Sequence, residues 1–294
     1  MLAVSAYLCW GFAPLYWPLV DESGSVEILA HRFVWSLVFV GILLLMFGGF
    51  GRLGVLLGDR LLMVRLFLAS TAIAINWGLF IYAVTHDHVI EASLGYFINP
   101  LVSVLLGVVV LGERLRPVQW CAVALGAMAV IVLSVGYGRL PYLALAIAFS
   151  FGIYGLLKKQ ANLGAREGLF VETLCLAPVA LAFLIVIEFT GDATFGHAGV
   201  SNALLLAGTG VITAVPLLLF GGAATRLSLS TIGILQYLGP VIQFILGLVV
   251  FHEAMTGARW IGFLLVWSAL AVFTLDALTN HRRIVRRTAE ASAI

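Results

Sequence analysis

Long apolar runs separated by short polar breaks fill the chain from end to end. A helix needs roughly 20 apolar residues to cross the hydrocarbon core of a bilayer. On that measure ten spans are predicted, over residues 2–19, 26–47, 61–85, 90–111, 117–136, 141–157, 169–189, 202–224, 229–251 and 256–278. The breaks carry Gly, Pro or charge, as at Asp21-Glu22-Ser23-Gly24, Gly48 to Arg52, Gly112-Glu113-Arg114 and Lys158-Lys159. Connections this short leave no room for a soluble domain. The expected fold class is all-α integral membrane.

The pattern also occurs twice. Pro100, Gly107, Glu113 and Trp120 are matched without a gap by Pro240, Gly247, Glu253 and Trp260, a shift of 240 − 100 = 140. The same shift places Leu79, Phe80, Ala83 and Thr85 on Leu219, Phe220, Ala223 and Thr225. Five spans precede residue 140 and five follow it, and an odd number of crossings turns the second copy upside down. The expected organisation is a first repeat over 1–137, a second, inverted repeat over 138–280, and a basic tail over 281–294. In such inverted-repeat transporters the substrate binds near the midplane between the halves.

Composition agrees. Hydrophobic residues make up 62%, charged residues 10%, and mean hydropathy is +1.12, against about 25% charged in a soluble domain. With both termini cytoplasmic, Arg52, Arg60, Arg114, Arg116, Lys158, Lys159, Arg166, Arg226 and the tail arginines all lie inside, and Arg139 stands alone in the outer loops. That is the bias expected of a multi-pass protein. A net charge of +2 gives no reason to invoke nucleic acid. Cys9, Cys121 and Cys175 all fall in apolar runs, which argues against a disulfide framework.

Polar groups at membrane depth are costly, about 2.5–3.5 kcal/mol per charge on insertion scales, so each asks for a reason. Near the outer end of the second span stand Glu27, His31 and Arg32, with Glu27 and His31 one turn apart. They read either as a gating or proton-coupling cluster or as an ion pair reaching the interface. In the fourth span Tyr96 and Asn99 precede Pro100, which removes a backbone hydrogen bond and kinks the helix. Gln236 and Tyr237 precede Pro240 at the corresponding place in the ninth. Two such helices are a pointer to a substrate site, or to kinks needed only for packing. Asn76 and Trp77 are further candidates; a buried Asn can equally tie two helices together. Thr213, Gln243, Trp10, Tyr16 and Tyr154 are weaker ones. Glu113 and Glu253 are expected to bond an adjacent loop or helix start. His86-Asp87-His88 is expected to be a solvated turn rather than a metal site. No phosphate-binding G-x-x-x-x-G-K-[ST] loop and no H-E-x-x-H or G-x-S-x-G signature occurs, so neither an enzyme nor a cofactor is expected.

Several segments resemble the EamA branch of the drug/metabolite transporter superfamily, most closely its RarD-type members. They are His31-Arg32-Phe33-Val34-Trp35-Ser36, Asn76-Trp77-Gly78-Leu79-Phe80-Ile81, Glu91 to Pro100, Leu111-Gly112-Glu113-Arg114, Ala224 to Thr231 and Gln236-Tyr237-Leu238-Gly239-Pro240. The resemblance implies ten helices in two inverted repeats, in a bacterial inner membrane. It also implies export of small metabolites or drugs, and RarD-type proteins take their name from a chloramphenicol-sensitivity phenotype. Members usually begin with a short polar lead; this chain opens directly on its first span, which leaves Met1 open as the true start. The expected partners are a small-molecule substrate, a coupling proton and the lipid bilayer, with the chain a monomer or homodimer. A non-transporting membrane partner subunit is the alternative.

Overall fold

The computed structural model describes the chain except residues 49–50, 52, 54–56, 113, 162, 225–234 and 292–294. Every regular element among the described residues is helical. The first is α1 (Leu2–Phe12), continued by two 3₁₀ segments, Ala13–Leu15 and Trp17–Ser23. Then come α2 (Gly24–Phe47), α3 (Arg60–Thr85), α4 (Val89–Leu111), α5 (Pro117–Tyr137) and α6 (Tyr142–Ala161). The rest are α7 (Ala165–Thr190), α8 (Gly199–Ala224), α9 (Leu238–Val249) and α10 (Gly257–Ala291).

Local chemistry fixes the helix ends. Asp59 opens α3 by accepting the Leu62 N–H, and Pro117 opens α5, where its missing N–H costs nothing. Gly112 and Gly138 close α4 and α5 in the left-handed conformation, with φ of 68° and 66°, which glycine adopts without a Cβ penalty. The predicted first span does not run through as one α-helix. Pro14 and Pro18 each lack an N–H, and the chain tightens into 3₁₀ turns there. Pro240 stands in the first turn of α9, just after the Gln236-Tyr237 turn that separates α9 from the helical Leu235; residues 225–234 before it lie outside the described residues. Pro100 does lie inside α4. Glu113 falls outside the described residues.

Seven segments among the described residues are long and apolar enough to cross a membrane, from Trp17–Phe47 to Gly257–Asp276. Leu2–Leu15, Tyr142–Lys158 and Leu238–Val249 are apolar but shorter. Cys9, Cys121 and Cys175 are free.

The helices interlock across the chain. α1 packs on α8 and α9, and α6 on α3 and α4; α2 lies against α7 and α8, α3 against α7, α4 against α9, and α5 against α10. In lipid, helices associate through close packing rather than hydrophobic exclusion, so small residues sit at crossings. A Cβ on Gly210 of α8 would come within 2.4 Å of the Trp35 backbone in α2, and one on Gly95 of α4 within 2.7 Å of the Ala144 carbonyl in α6. Trp17, Val89, Phe195 and Phe251 share one packed cluster, which gathers the 3₁₀ segment, the start of α4 and the α7–α8 and α9–α10 connections at one end of the bundle.

Candidate functional site

Three polar side chains, two of them buried, tie α3, α4 and α6 together. Asn76, fully buried in α3, donates its Nδ2 to the Ile147 carbonyl at 2.9 Å and to Ser150 Oγ at 3.2 Å. Its Oδ1 accepts the Tyr96 hydroxyl at 3.1 Å. Tyr96 in turn stands edge-on to Phe80 and Phe151, with ring centres 5.7 and 6.0 Å away. This is the helix-joining role open to a buried Asn, and it fixes the Tyr96 rotamer at the same time.

Arg32 of α2 is 5% exposed. Its Nε donates to Thr213 Oγ1 of α8 at 2.6 Å, and its guanidinium carbon lies 3.9 Å above the Trp77 ring and 5.3 Å from the Trp17 ring. Tyr96 is near enough to interact with it electrostatically. Among the described residues no carboxylate lies within ion-pair distance of Arg32. Its Nη1 and the neighbouring Trp17 Nε1 are buried and have no hydrogen-bond partner among the described residues. A desolvated cation on an aromatic face gains about 2 kcal/mol, while burying the ion costs several kcal/mol. The indole faces alone leave the charge undercompensated.

Glu27 and His31 do not share that environment. Residues five apart on a helix project about 140° apart at roughly 100° per residue, so Glu27 turns away from Arg32. Its Oε1 accepts the Thr194 N–H at 2.9 Å, the Thr194 hydroxyl at 3.1 Å and the Phe195 N–H at 3.3 Å. Ser23 and Asn202 continue the network. The His31 ring stacks on Phe195 at 4.7 Å and holds its Nε2 3.9 Å from Glu27. The predicted trio is therefore two sites on two faces of α2. Counting 100° per residue along the sequence would have separated them.

A second carboxylate does the same at the other crossing. Glu253, in the turn after α9, accepts the Ile90 N–H at the start of α4 through both oxygens, at 3.1 and 3.2 Å. Burial pushes its carboxyl up to about 7. This is the bond to a helix start that the sequence leads one to expect of Glu253. Nearby, Arg139 pairs with the buried Glu91 at 2.8 Å.

The remaining candidates spread out. Asn99 Oδ1 accepts a 3.5 Å bond from Ser103. Tyr237, within hydrogen-bonding reach of Thr274 and Gln236, lines a cavity of about 570 Å³ with Phe97, Phe244 and Trp267. Among the described residues no hydrogen bond or ring contact joins Tyr237 to Tyr96 or Asn76. Gln243 donates to the Trp10 carbonyl at 3.0 Å, joining α9 to α1. Trp17 and Ser150 are not marked out by the sequence. Trp17 sits where an interfacial aromatic is ordinary, and a lone Ser in an apolar helix carries no signal.

The model of the EamA-like transporter family matches residues 1–135 and again residues 140–275. The chain belongs to the EamA-like transporter family. It is 54% identical over 278 residues to "Protein RarD" of Streptomyces exfoliatus, covering 95% of this chain and 88% of that one. It is 42% identical over 283 residues to "Protein RarD" of Escherichia coli, covering 96% of each. To "Uncharacterized transporter YojE" of Bacillus subtilis it is 44% identical over 281 residues, 94% of this chain and 93% of that one. A solved crystal structure superposes with a TM-score of 0.61 at 22% identity, over 94% of this chain and 96% of the other; at that identity the likeness is one of fold. As a RarD-type member of the EamA-like family, the chain is a multi-pass protein of the membrane.

Proposed function

We propose that the chain is a secondary transporter of small metabolites or drugs, working by alternating access between two inverted five-helix repeats, residues 1–137 and 138–280. The observation that carries this reading is the pattern of helix pairs. Exchanging each helix for the one five places along turns α3–α6 into α8–α1, α4–α6 into α9–α1 and α2–α8 into α7–α3. It leaves α2–α7, α4–α9 and α5–α10 unchanged. The double family match supports the same division. Five is odd, so repeats related in this way run in opposite directions through the bilayer. The three shorter apolar helices then cross with the rest, and the basic residues put both termini in the cytoplasm.

In this reading the substrate contacts come from Asn76, Trp77, Tyr96, Asn99, Gln236 and Tyr237. The two carboxylate clasps close the outer end. Glu27 of the first half holds Thr194 and Phe195 of the second, and Glu253 of the second half holds Ile90 of the first. Opening outward requires both to part, which gives Glu27 and His31 a gating role and makes a proton the natural coupling ion. Export is the direction that the drug/metabolite transporter resemblance suggests.

Two measurements test this. Single cysteines in a cysteine-free background, Arg139→Cys and Arg282→Cys, should be labelled by an impermeant thiol reagent from opposite faces of the membrane. Labelling from one face would remove the inverted arrangement. Proteoliposomes should also accumulate at least one of a panel of labelled amino acids, amphenicols or small cations above empty vesicles. Absence of flux and of ligand stabilisation across the panel would favour a non-transporting partner subunit.

A further inference from the structure

We infer that the substrate is an organic anion, and that Arg32 is the group that receives its carboxylate. This rests on the transporter reading above and narrows it to a chemical class. The inference comes from what surrounds Arg32. Asn76, Glu91, Glu172 and Glu253 have both side-chain polar atoms engaged by protein partners, and Glu27 has its Oε1 engaged three times over. Arg32 differs: its neighbours are a neutral hydroxyl and two indole faces. Among the described residues its Nη1 and Trp17 Nε1 are donors without acceptors.

The geometry selects the complement. The guanidinium carbon lies 3.9 Å from the Trp77 ring centre and 5.3 Å from that of Trp17, Nε is taken by Thr213, and the remaining N–H donors lie along the edge of the planar group. A carboxylate meets such an edge with two parallel hydrogen bonds, whereas a neutral amide offers only one acceptor and a cation none. Thr213 fixes the Nε side of the fork from α8, so the guanidinium is held in place by one helix from each proposed repeat. Around it Trp17, Trp77, Phe33 and Tyr96 supply apolar and aromatic surface, suited to the uncharged body of the same molecule. A membrane protein keeps a buried, unpaired cation where a ligand completes it.

The test uses the full-length protein in lipid nanodiscs and matched pairs of probes that differ only in charge: benzoate and benzamide, indole-3-acetate and indole-3-acetamide, succinate and succinamide. At least one carboxylate should raise the melting temperature where its amide does not, since a ligand stabilises the state it binds. Arg32→Gln should weaken that carboxylate tenfold or more, and Arg32→Lys should restore only part of it. A second readout needs no ligand. Arg32→Met removes an undercompensated charge and should reach the membrane at normal abundance and melt no lower than the native chain. Three results overturn the inference: stabilisation by amides or cations in place of carboxylates, carboxylate binding that survives Arg32→Gln, or an Arg32→Met protein that melts several degrees lower. Flux of neutral or cationic compounds alongside any of these would leave the transporter standing and remove only the anion. No stabilisation and no flux with any probe would remove both.

Discussion

The Glu253 carboxylate grips the N–H of Ile90, 163 residues earlier in the chain, through both of its oxygens, at 3.1 and 3.2 Å, and so caps the start of α4. The clasp is pH-sensitive, because burial raises the carboxyl from an ordinary 4.5 to about 7. A raised carboxyl favours the protonated form in the folded protein, so its contribution to stability is full below pH 4.5 and is lost as pH rises through 7. Melting curves of the native chain should therefore fall relative to Glu253→Gln across that window and run parallel outside it. Glu253→Ala, which removes the cap altogether, should cost about 1 kcal/mol. A flat difference between native and Glu253→Gln from pH 4 to 8 would show that the group does not titrate there.

Asn76→Leu should destabilise the chain by about 1–3 kcal/mol, because it strands the Tyr96 hydroxyl and removes both bonds to α6. Tyr96→Phe removes only one donor and leaves Asn76 Oδ1 without it, for about 1 kcal/mol. Chemical denaturation in detergent, with the two single variants and the double, gives the coupling directly. Additive losses would mean that the bond contributes little.

Gly210→Ala should be far worse than its size suggests. Its Cβ would lie 2.4 Å from the Trp35 backbone, and backbone cannot rotate aside, so α8 must move off α2 at a cost of about 1–3 kcal/mol. Gly155→Ala in α6 meets nothing within 4 Å and should be neutral or gain up to about 1 kcal/mol. Comparing membrane abundance of the two variants separates crowding from helix propensity.

Lys158 donates to Glu172 at 2.6 Å, and Tyr154 donates to the other oxygen of the same buried carboxylate at 3.2 Å. Lys158→Met leaves that carboxylate short of its counter-ion and should cost about 3–5 kcal/mol, whereas Lys158→Met with Glu172→Leu should recover most of the loss. Failure of the double variant to recover would place Glu172 in some further contact.

The seven long apolar helices were legible because a bilayer imposes a length and an apolar requirement that the sequence displays directly. The directions in which side chains face were not. α2 and α4 are apolar on nearly every side, so no amphipathic stripe tells which face meets another helix, and Arg32 could not be placed against Trp77, Trp17 and Thr213 from the sequence. Glu27 and Arg32 are close in sequence and yet face apart, because five residues turn a helix well past a right angle. Pro100 lies within its helix and Pro240 just after the Gln236-Tyr237 turn, a difference that matching letters cannot show. Glu253 was legible as a bonding group, but its partner at Ile90 was not, because nothing local links the two.

The interlocking of the helices has a consequence for how the chain is made. α1 is synthesised before the other described helices, yet the surfaces it packs against belong to α8 and α9, and α8 does not begin until Gly199. Through most of synthesis it has no settled neighbour, and the first five helices emerge with α3 and α4 still awaiting α6. Neither half is a finished object by itself. Expressed as two separate polypeptides, they should be degraded singly and persist only when made together, each serving as the scaffold on which the other completes its assembly.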